Sequence, residues 1–541
     1  MNILLLMADQ FRFDAIRCAG NQQVQTPNLD ALAASGQLFT HTFTPSPVCV
    51  AARMSMITGQ RISRTHFVGN QCLSPATPVL PTLMTTLHDA GYRTQAVGKM
   101  HFQGQHYGFH NIKTQEECPR VRIDDDYLMF LKENGIRTRF PHGYRNLLYF
   151  QPQTTALPEQ FTPEAWVADQ SIQFLTDHLR YRGSQPFLLW SSWIAPHPPF
   201  AACSPYDQMY SPDDIDLPDY MNRPLSDLPE TVWSSRARLD GAHHDPDRMR
   251  RIKALYYGKV SHVDACIGRL MQHLDQLGLF ENTIVIFTSD HGEMLGDHGL
   301  AQKQVPYEAS IRIPFIIRWP HLTQPGQISH DLVSLLDLFP TLIETMELPY
   351  PGDVGDLAGE SLYRCQIEAN NSSGHRLGTD RERIFIDLYS GKQRWVAVRS
   401  RQQKYIAWAS GGREELYDLV ADPQEHHNLV CQRPEQIVSF RTEMANWERI
   451  NGLPDTLDGD HLKSYPEAKP PTEETCREVI INQGRWTQNL PAEERDTVET
   501  YAAAIRSALS KETFDPTKLS IDSYIQQTEH PVVDILKDID T

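Results

Sequence analysis

Four short apolar runs, Ile3–Ala8, Thr94–Val97, Phe187–Trp190 and Thr283–Thr288, each give way within a few positions to polar, ionisable residues. Runs of this length and composition read as central strands of a parallel sheet, apolar on both faces because helices cover both. Helical segments lie between them. Thr26–Leu32 opens one, with Thr26 or Asn28 as its cap, and Leu83–Ala90 is another. Tyr256–Leu277 carries Val260, Val263, Ile267, Leu270, Met271 and Leu274 at helical spacing. Alternating strands and helices predict an α/β domain with helices on both faces of the sheet. Asp9 and Gln10 follow the first strand, Gly98, Lys99 and His101 the second. His197 follows the third after a short polar turn, and Ser289, Asp290 and His291 follow the fourth. In doubly wound sheets ligands bind at the carboxyl edge. A single Asp there is an ordinary helix cap; four such strand ends in one chain predict a shared site.

Cys49 lies in Pro47-Val48-Cys49-Val50-Ala51-Ala52-Arg53, with Thr58-Gly59 beyond. Pro45 and Pro47 lead into a helix-favouring run. Cys49 therefore falls in the first turn of a helix, with Arg53 one turn on along the same face. The positive helix end and the guanidinium favour an anionic species at this position. A lone Cys is more commonly a small packed hydrophobe, so the other residues decide its meaning. Asp9, Gln10, Asp290 and His291 offer mostly oxygen ligands and, with Cys49, predict a divalent cation such as Ca²⁺, Mg²⁺ or Mn²⁺. Arg53, Lys99, His101, His197 and Lys303 are cations or hydrogen-bond donors. Converging, they would hold a tetrahedral oxyanion.

The chain has 541 residues, 68 acidic against 50 basic, for a net charge of −18. That argues against nucleic acid or an anionic membrane as partner and makes any anion site a local cluster. Nine Cys without a C-x-x-C pair, and an N-terminus lacking a basic region before its short apolar run, point to the cytoplasm. A boundary falls near residues 350–380. The expected units are a catalytic domain over 1–375, a small subdomain over 376–455 and a polar arm over 456–541. Within the second, Ile384–Leu388, Trp395–Ser400, Lys404–Trp408 and Glu415–Leu419 predict a small antiparallel sheet. The arm carries a helical patch at Val498–Leu509 and could reach a neighbouring copy of the chain as part of a homo-oligomer.

These motifs resemble the type I sulfatases of the alkaline phosphatase superfamily. The matching residues are Met7-Ala8-Asp9-Gln10, Thr26-Pro27-Asn28-Leu29-Asp30, Cys49 to Arg53 with Thr58-Gly59, Gly98-Lys99-Met100-His101, Ala195-Pro196-His197 and Ser289-Asp290-His291-Gly292. Leu416-Tyr417-Asp418-Leu419 and the Asp422-Pro423 to Leu429 stretch follow in the same order. The resemblance implies a large mixed, mostly parallel sheet sandwiched by helices, plus the small C-terminal sheet. It implies that a maturation enzyme oxidises Cys49 to formylglycine, whose hydrate carries the nucleophilic oxygen, with Arg53 holding it. Asp9, Gln10, Asp290 and His291 would bind one divalent cation, usually Ca²⁺. Lys99, His101, His197 and Lys303 would surround the sulfate of a small-molecule or carbohydrate ester. Asp290 would accept the nucleophile's proton, His197 or Lys303 would protonate the departing alcohol, and His101 would be the later base.

Ala51 stands where the family signature C-x-P-S/A-x-R has Pro. The resemblance thus ties the efficiency of Cys49 conversion to that position. Two other readings remain at this stage. Phosphonate monoester and phosphodiester hydrolases share the Asp-Gln, Cys and Asp-His arrangement, but the Lys99 and His101 pair favours a sulfatase. A silent binding protein on a hydrolase fold would have no reason to keep both residue sets complete.

Overall fold

The apolar runs pair as one sheet in the computed structural model, which describes residues 1–470 apart from 71, 74–79, 103, 118–124, 137–140, 144–149, 151, 156, 240 and 368–372. The first strands are β1 (Asn2–Ala8), β2 (Gln37–Phe43), β3 (Arg93–Gly98), β4 (Asn111–Thr114) and β5 (Gln153–Thr154). Then come β6 (Phe187–Trp193), β7 (Ala201–Ala202), β8 (Thr283–Thr288), β9 (Arg312–Arg318) and β10 (Gln327–Ser334). Eight of them form one sheet in the order β10-β2-β9-β8-β1-β6-β3-β4, while β5 and β7 pair separately. From β8 to β4 every pairing is parallel. Only β9 runs against its neighbours, and β2 and β10 are parallel to each other. The sheet is mixed and mostly parallel, as expected.

Alternation along the central strands assigns each side chain to a face. Leu4, Leu6, Leu189, Val285 and Phe287 meet the helices Pro27–Ser35, Pro163–Arg182 and Pro246–Gln276. Ile3, Leu5, Met7, Leu188, Trp190, Ile284 and Ile286 meet Cys49–Thr58, Leu83–Asp89 and Leu338–Met346 on the other side. Each such Leu or Ile contributes roughly 1.5–3 kcal/mol on burial. No helix among the described residues is long and apolar enough to cross a membrane.

Three local differences have physical causes. β6 runs on through Ser191, Ser192 and Trp193, where a polar turn was expected. Ser191 pairs with the Ser171 hydroxyl at 2.7 Å and the Trp193 indole donates to the Glu164 carbonyl at 3.0 Å, so these polar atoms are satisfied within the strand. The long helix begins at Pro246, because the Asp245 side chain accepts from the Arg248 amide and caps it there. Thr26 occupies the cap position of Pro27–Ser35 without capping it through its side chain, and Asn28 lies inside that helix with its amide on Asp264.

The predicted boundary region contains a hairpin of β11 (Tyr363–Ile367) and β12 (Ser373–Leu377). Beyond it, β13 (Ile384–Leu388), β14 (Trp395–Arg399), β15 (Gln403–Trp408) and β16 (Glu414–Asp418) form the expected small antiparallel sheet, in chain order. A helix absent from the sequence reading, Pro434–Asn451, covers one face through Ile437, Phe440, Met444 and Trp447. Ile386, Trp395 and Trp408 on the other face pack against Phe43, Val48 and Ala51 of the large domain. The arm starts on this subdomain: the Gly411 amide donates to the Tyr465 carbonyl, and Arg413 pairs with Glu467 at 2.8 Å. The Val498–Leu509 patch lies outside the described residues.

Arg394 ties this subdomain together from within. Its buried guanidinium pairs with Glu448 at 2.7 Å and Asp387 at 3.0 Å. Arg394→Ala leaves both carboxylates buried without that cation and is expected to lower stability by about 3–5 kcal/mol, measured by denaturant unfolding.

Candidate active site

The strand registers bring the predicted residues to one level. Ala8 pairs with Trp193, Met7 with Thr288, and Gly98 with both Ser192 and Thr114. Asp9, Lys99, Asp290 and His291 therefore leave the sheet at the same edge, and His197 follows just beyond β6. Gly98 has φ 96°, and a Cβ there would run into the Ser192 carbonyl oxygen. This closeness lets the Lys99 amide donate to that same carbonyl at 2.9 Å. β2 ends at Phe43 and feeds Pro45–Val48 into the helix Cys49–Thr58, with extended Val48 as its cap residue. The feeding segment is pinned from the C-terminal side. The Ser46 hydroxyl donates to the Asp387 carbonyl at 2.7 Å, the Asp387 amide to Pro45 at 3.2 Å, and the Gln304 amide to Pro47 at 3.1 Å.

Asp9, Cys49, Asp290 and His291 are all buried, and each offers a ligand atom within 4.8 Å of the others. Cys49 Sγ lies 3.2 Å from His291 Nε2 and 3.8 Å from Asp9 Oδ1. His291 Nδ1 engages the Gly292 carbonyl at 3.0 Å, which turns Nε2 toward the centre. Asp290 Oδ2 accepts from Arg53 Nε at 2.8 Å, and its Oδ1 accepts from the amides of Gln10 and His291. Burial works against ionisation of Asp290, but His291 and Arg53 outweigh it and hold the carboxyl at about 2. Asp9 is raised by burial and then by the charges of Asp290 and Cys49. Two carboxylates and a thiol crowded in one buried centre fit a divalent cation that would relieve their repulsion. Gln10 differs from the expected ligand pose. Its carboxamide donates to Glu293 through Nε2 and accepts from Lys303 through Oε1.

The cationic set closes round the same centre. Lys99 Nζ donates to Asp9, lies 2.8 Å from Glu117 Oε2 and 3.8 Å from Cys49 Sγ. Arg53 donates through Nη1 to the Lys99 carbonyl and, at 3.0 Å, to the Ser192 hydroxyl, while its buried Nη2 has no hydrogen-bond partner among the described residues. His101 stands at φ 58° with its amide donating to Glu116 at 2.9 Å. His197 engages the Pro198 carbonyl through Nδ1 at 2.6 Å, and its Nε2 lies 3.6 Å from Glu117 Oε1. Burial, reinforced by Lys303 and Lys99, pushes His197 down to about 4 against the pull of Glu117. Burial alone would raise the Cys49 thiol, but Lys303, Lys99, His291 and His101 bring it well below its usual range. The site thus stabilises an anion at position 49, beside donors able to receive a second one.

Glu116, Glu117 and Glu293 were not singled out from the sequence. Glu116 and Glu117 follow β4, a four-residue edge strand without a fully buried position. An acidic pair after a strand at the same edge was their only signal. Glu293 accepts from Gln10 and from the Leu295 and Gln302 amides, so it fixes both the Gln10 carboxamide and the loop leading to Lys303.

A family model described as sulfatase matches residues 1–348. A second, described as N-sulphoglucosamine sulphohydrolase, C-terminal, matches residues 296–448. An arylsulfatase of Clostridium perfringens is 31% identical over 494 residues, spanning 86% of this chain and 98% of its own length. Among solved structures, the phosphonate monoester hydrolase of Agrobacterium radiobacter shares the fold with a TM-score of 0.68 at 24% identity, over 83% of this chain and 96% of its own. A protein solved in complex with its substrate D-glucosamine-2-N,6-O-disulfate shares it with a TM-score of 0.64 at 19% identity, over 84% and 99% respectively.

Proposed function

We propose the chemistry of this site from one premise: the chain belongs to the sulfatase family and is a sulfuric ester hydrolase. In this reading a maturation enzyme oxidises Cys49 to formylglycine, which supplies a hydrated aldehyde oxygen as nucleophile. Asp9, Asp290 and His291 would hold one divalent cation, Ca²⁺ before Mn²⁺ or Mg²⁺, which supplies positive charge against the ester's oxygens, and Gln10 would join them only once its Oε1 gives up the Lys303 ammonium. The observation that carries the reading is the crowding of Asp9, Asp290, His291 and Cys49 against Lys99 and Arg53 in one buried centre.

The chain's own side chains do the rest. Arg53 fixes the Asp290 carboxylate and the Lys99 carbonyl together, and so holds one cation ligand in register with one sulfate-binding group. Lys99 and Lys303 offset the negative oxygens of the bound ester. His101, whose interaction with Cys49 helps to hold that position anionic, is the group we assign to take a proton there. His197 has Nδ1 committed to the Pro198 carbonyl, so Nε2 is the atom that carries a proton to the departing alcohol. The ester's charge offsets Lys303 and Lys99, which lower His197 in the free site, and so favours the protonated imidazole.

The substrate class we assign is a small-molecule or carbohydrate sulfate ester. Cys18, partly buried, and exposed Cys431 are free thiols, which suits a cytoplasmic setting. The likeness to a phosphonate monoester hydrolase is a likeness of fold and leaves that activity as the second reading. Comparing kcat/KM for an aryl sulfate and an aryl phosphonate monoester separates the two. A preference for the sulfate is expected, and a preference for the phosphonate would overturn the assignment. His197→Ala is expected to lower kcat by roughly 100-fold on an alkyl sulfate with a poor leaving group. A near-normal kcat there would remove His197 from the leaving-group role.

A further inference from the structure

A carboxylate stands inside the ring of cations. Glu117 Oε2 lies 2.8 Å from Lys99 Nζ, and Oε1 lies 3.6 Å from His197 Nε2. Lys99 and His197 are both groups assigned above to the ester sulfate. Glu117 therefore occupies a position that an oxyanion would also claim. It is held there by its surroundings. The neighbouring Glu116 side chain accepts from the main-chain amides of Met100 and His101 at 3.1 and 2.9 Å. The Glu116 amide donates to Asp125 at 2.7 Å, and the Gln115 amide donates to the Gly98 carbonyl at 3.3 Å. Residues 115–117 are thus stitched to the turn that carries Lys99 and His101. The Glu117 side chain is 14% exposed, against 0% for Lys99 and 1% for His197, so it stands on the solvent side of the ring.

We propose that Glu117 is a specificity-determining residue that makes the pocket favour singly charged esters over doubly charged anions. The proposal rests on the reading that Lys99 and His197 receive the ester sulfate. A sulfate monoester carries one negative charge, whereas inorganic sulfate, and a phosphate monoester at neutral pH, carry about two. Repulsion from a fixed carboxylate grows in proportion to the charge of the incoming anion. Lys99 is also partly neutralised by Glu117 before any ligand arrives. A ring without this carboxylate would hold its own dianionic product and bind phosphate monoesters more firmly. With it, the product is released more readily and the phosphate ester is disfavoured.

The test compares wild type with Glu117→Gln and Glu117→Ala. Inorganic sulfate binding is measured by calorimetry, and kcat/KM is measured for an aryl sulfate and an aryl phosphate monoester. Both variants are expected to bind inorganic sulfate roughly tenfold more tightly. The phosphate-to-sulfate ratio of kcat/KM is expected to rise by a similar factor. Unchanged or weaker sulfate binding in both variants, or an unaltered ratio, overturns the proposal. Calorimetry does not require oxidation of Cys49. Failure of the hydrolytic reading would appear separately, as wild-type protein that turns over no sulfate ester.

Discussion

One buried guanidinium joins the pieces of the site. Arg53, carried by the helix that begins at Cys49, reaches Asp290 beyond β8, the Lys99 carbonyl beyond β3 and the Ser192 hydroxyl within β6. It is fully buried, as is Asp290, so neither charge is tolerable without the other. The distance from Cys49 to Lys99 and to Asp290 is thereby set by one side chain as well as by the sheet. The level registers of β1, β3, β6 and β8 do the rest, because parallel strands ending together present their following residues along one line.

The C-terminal subdomain is part of this arrangement. Asp387 of β13 exchanges hydrogen bonds with Pro45 and Ser46, and Gln304 holds Pro47, so the bend before Cys49 is held by contacts from outside it. Ala51, in the first turn of the helix, is fully buried in the cluster that contains Ile386 and Trp395. A first-turn residue has no obligatory intrahelical amide bond, so the folded helix needs no proline there. In the conversion proposed for Cys49, proline would matter in the unfolded segment and not in the folded helix.

Much of this was legible in the sequence, for a specific reason. β1 and β8 are buried at every position and so leave apolar runs, as does the first half of β6, and Asp9 and Asp290 are conspicuous just after the first two. Ser191 and Ser192 disguised the end of β6, since the hydroxyls that make them look like a turn are satisfied by Ser171 and Arg53. β4 is short and half-exposed, so neither it nor Glu117 stood out. Lys303 follows a loop rich in Gly and His and alone would read as an ordinary solvated lysine, so its meaning came from the cationic set it joined. The helix Pro434–Asn451 packs through Ile437, Phe440, Met444 and Trp447, a stripe at helical spacing behind Pro434 that was there to be read in the sequence.

Mass spectrometry of the peptide containing Cys49, from protein produced alongside a formylglycine-generating enzyme, tests the central point most directly. The expected result is a peptide in which an aldehyde has replaced the thiol, from a preparation that hydrolyses an aryl sulfate. Full turnover by a preparation in which Cys49 remains entirely a thiol would contradict it.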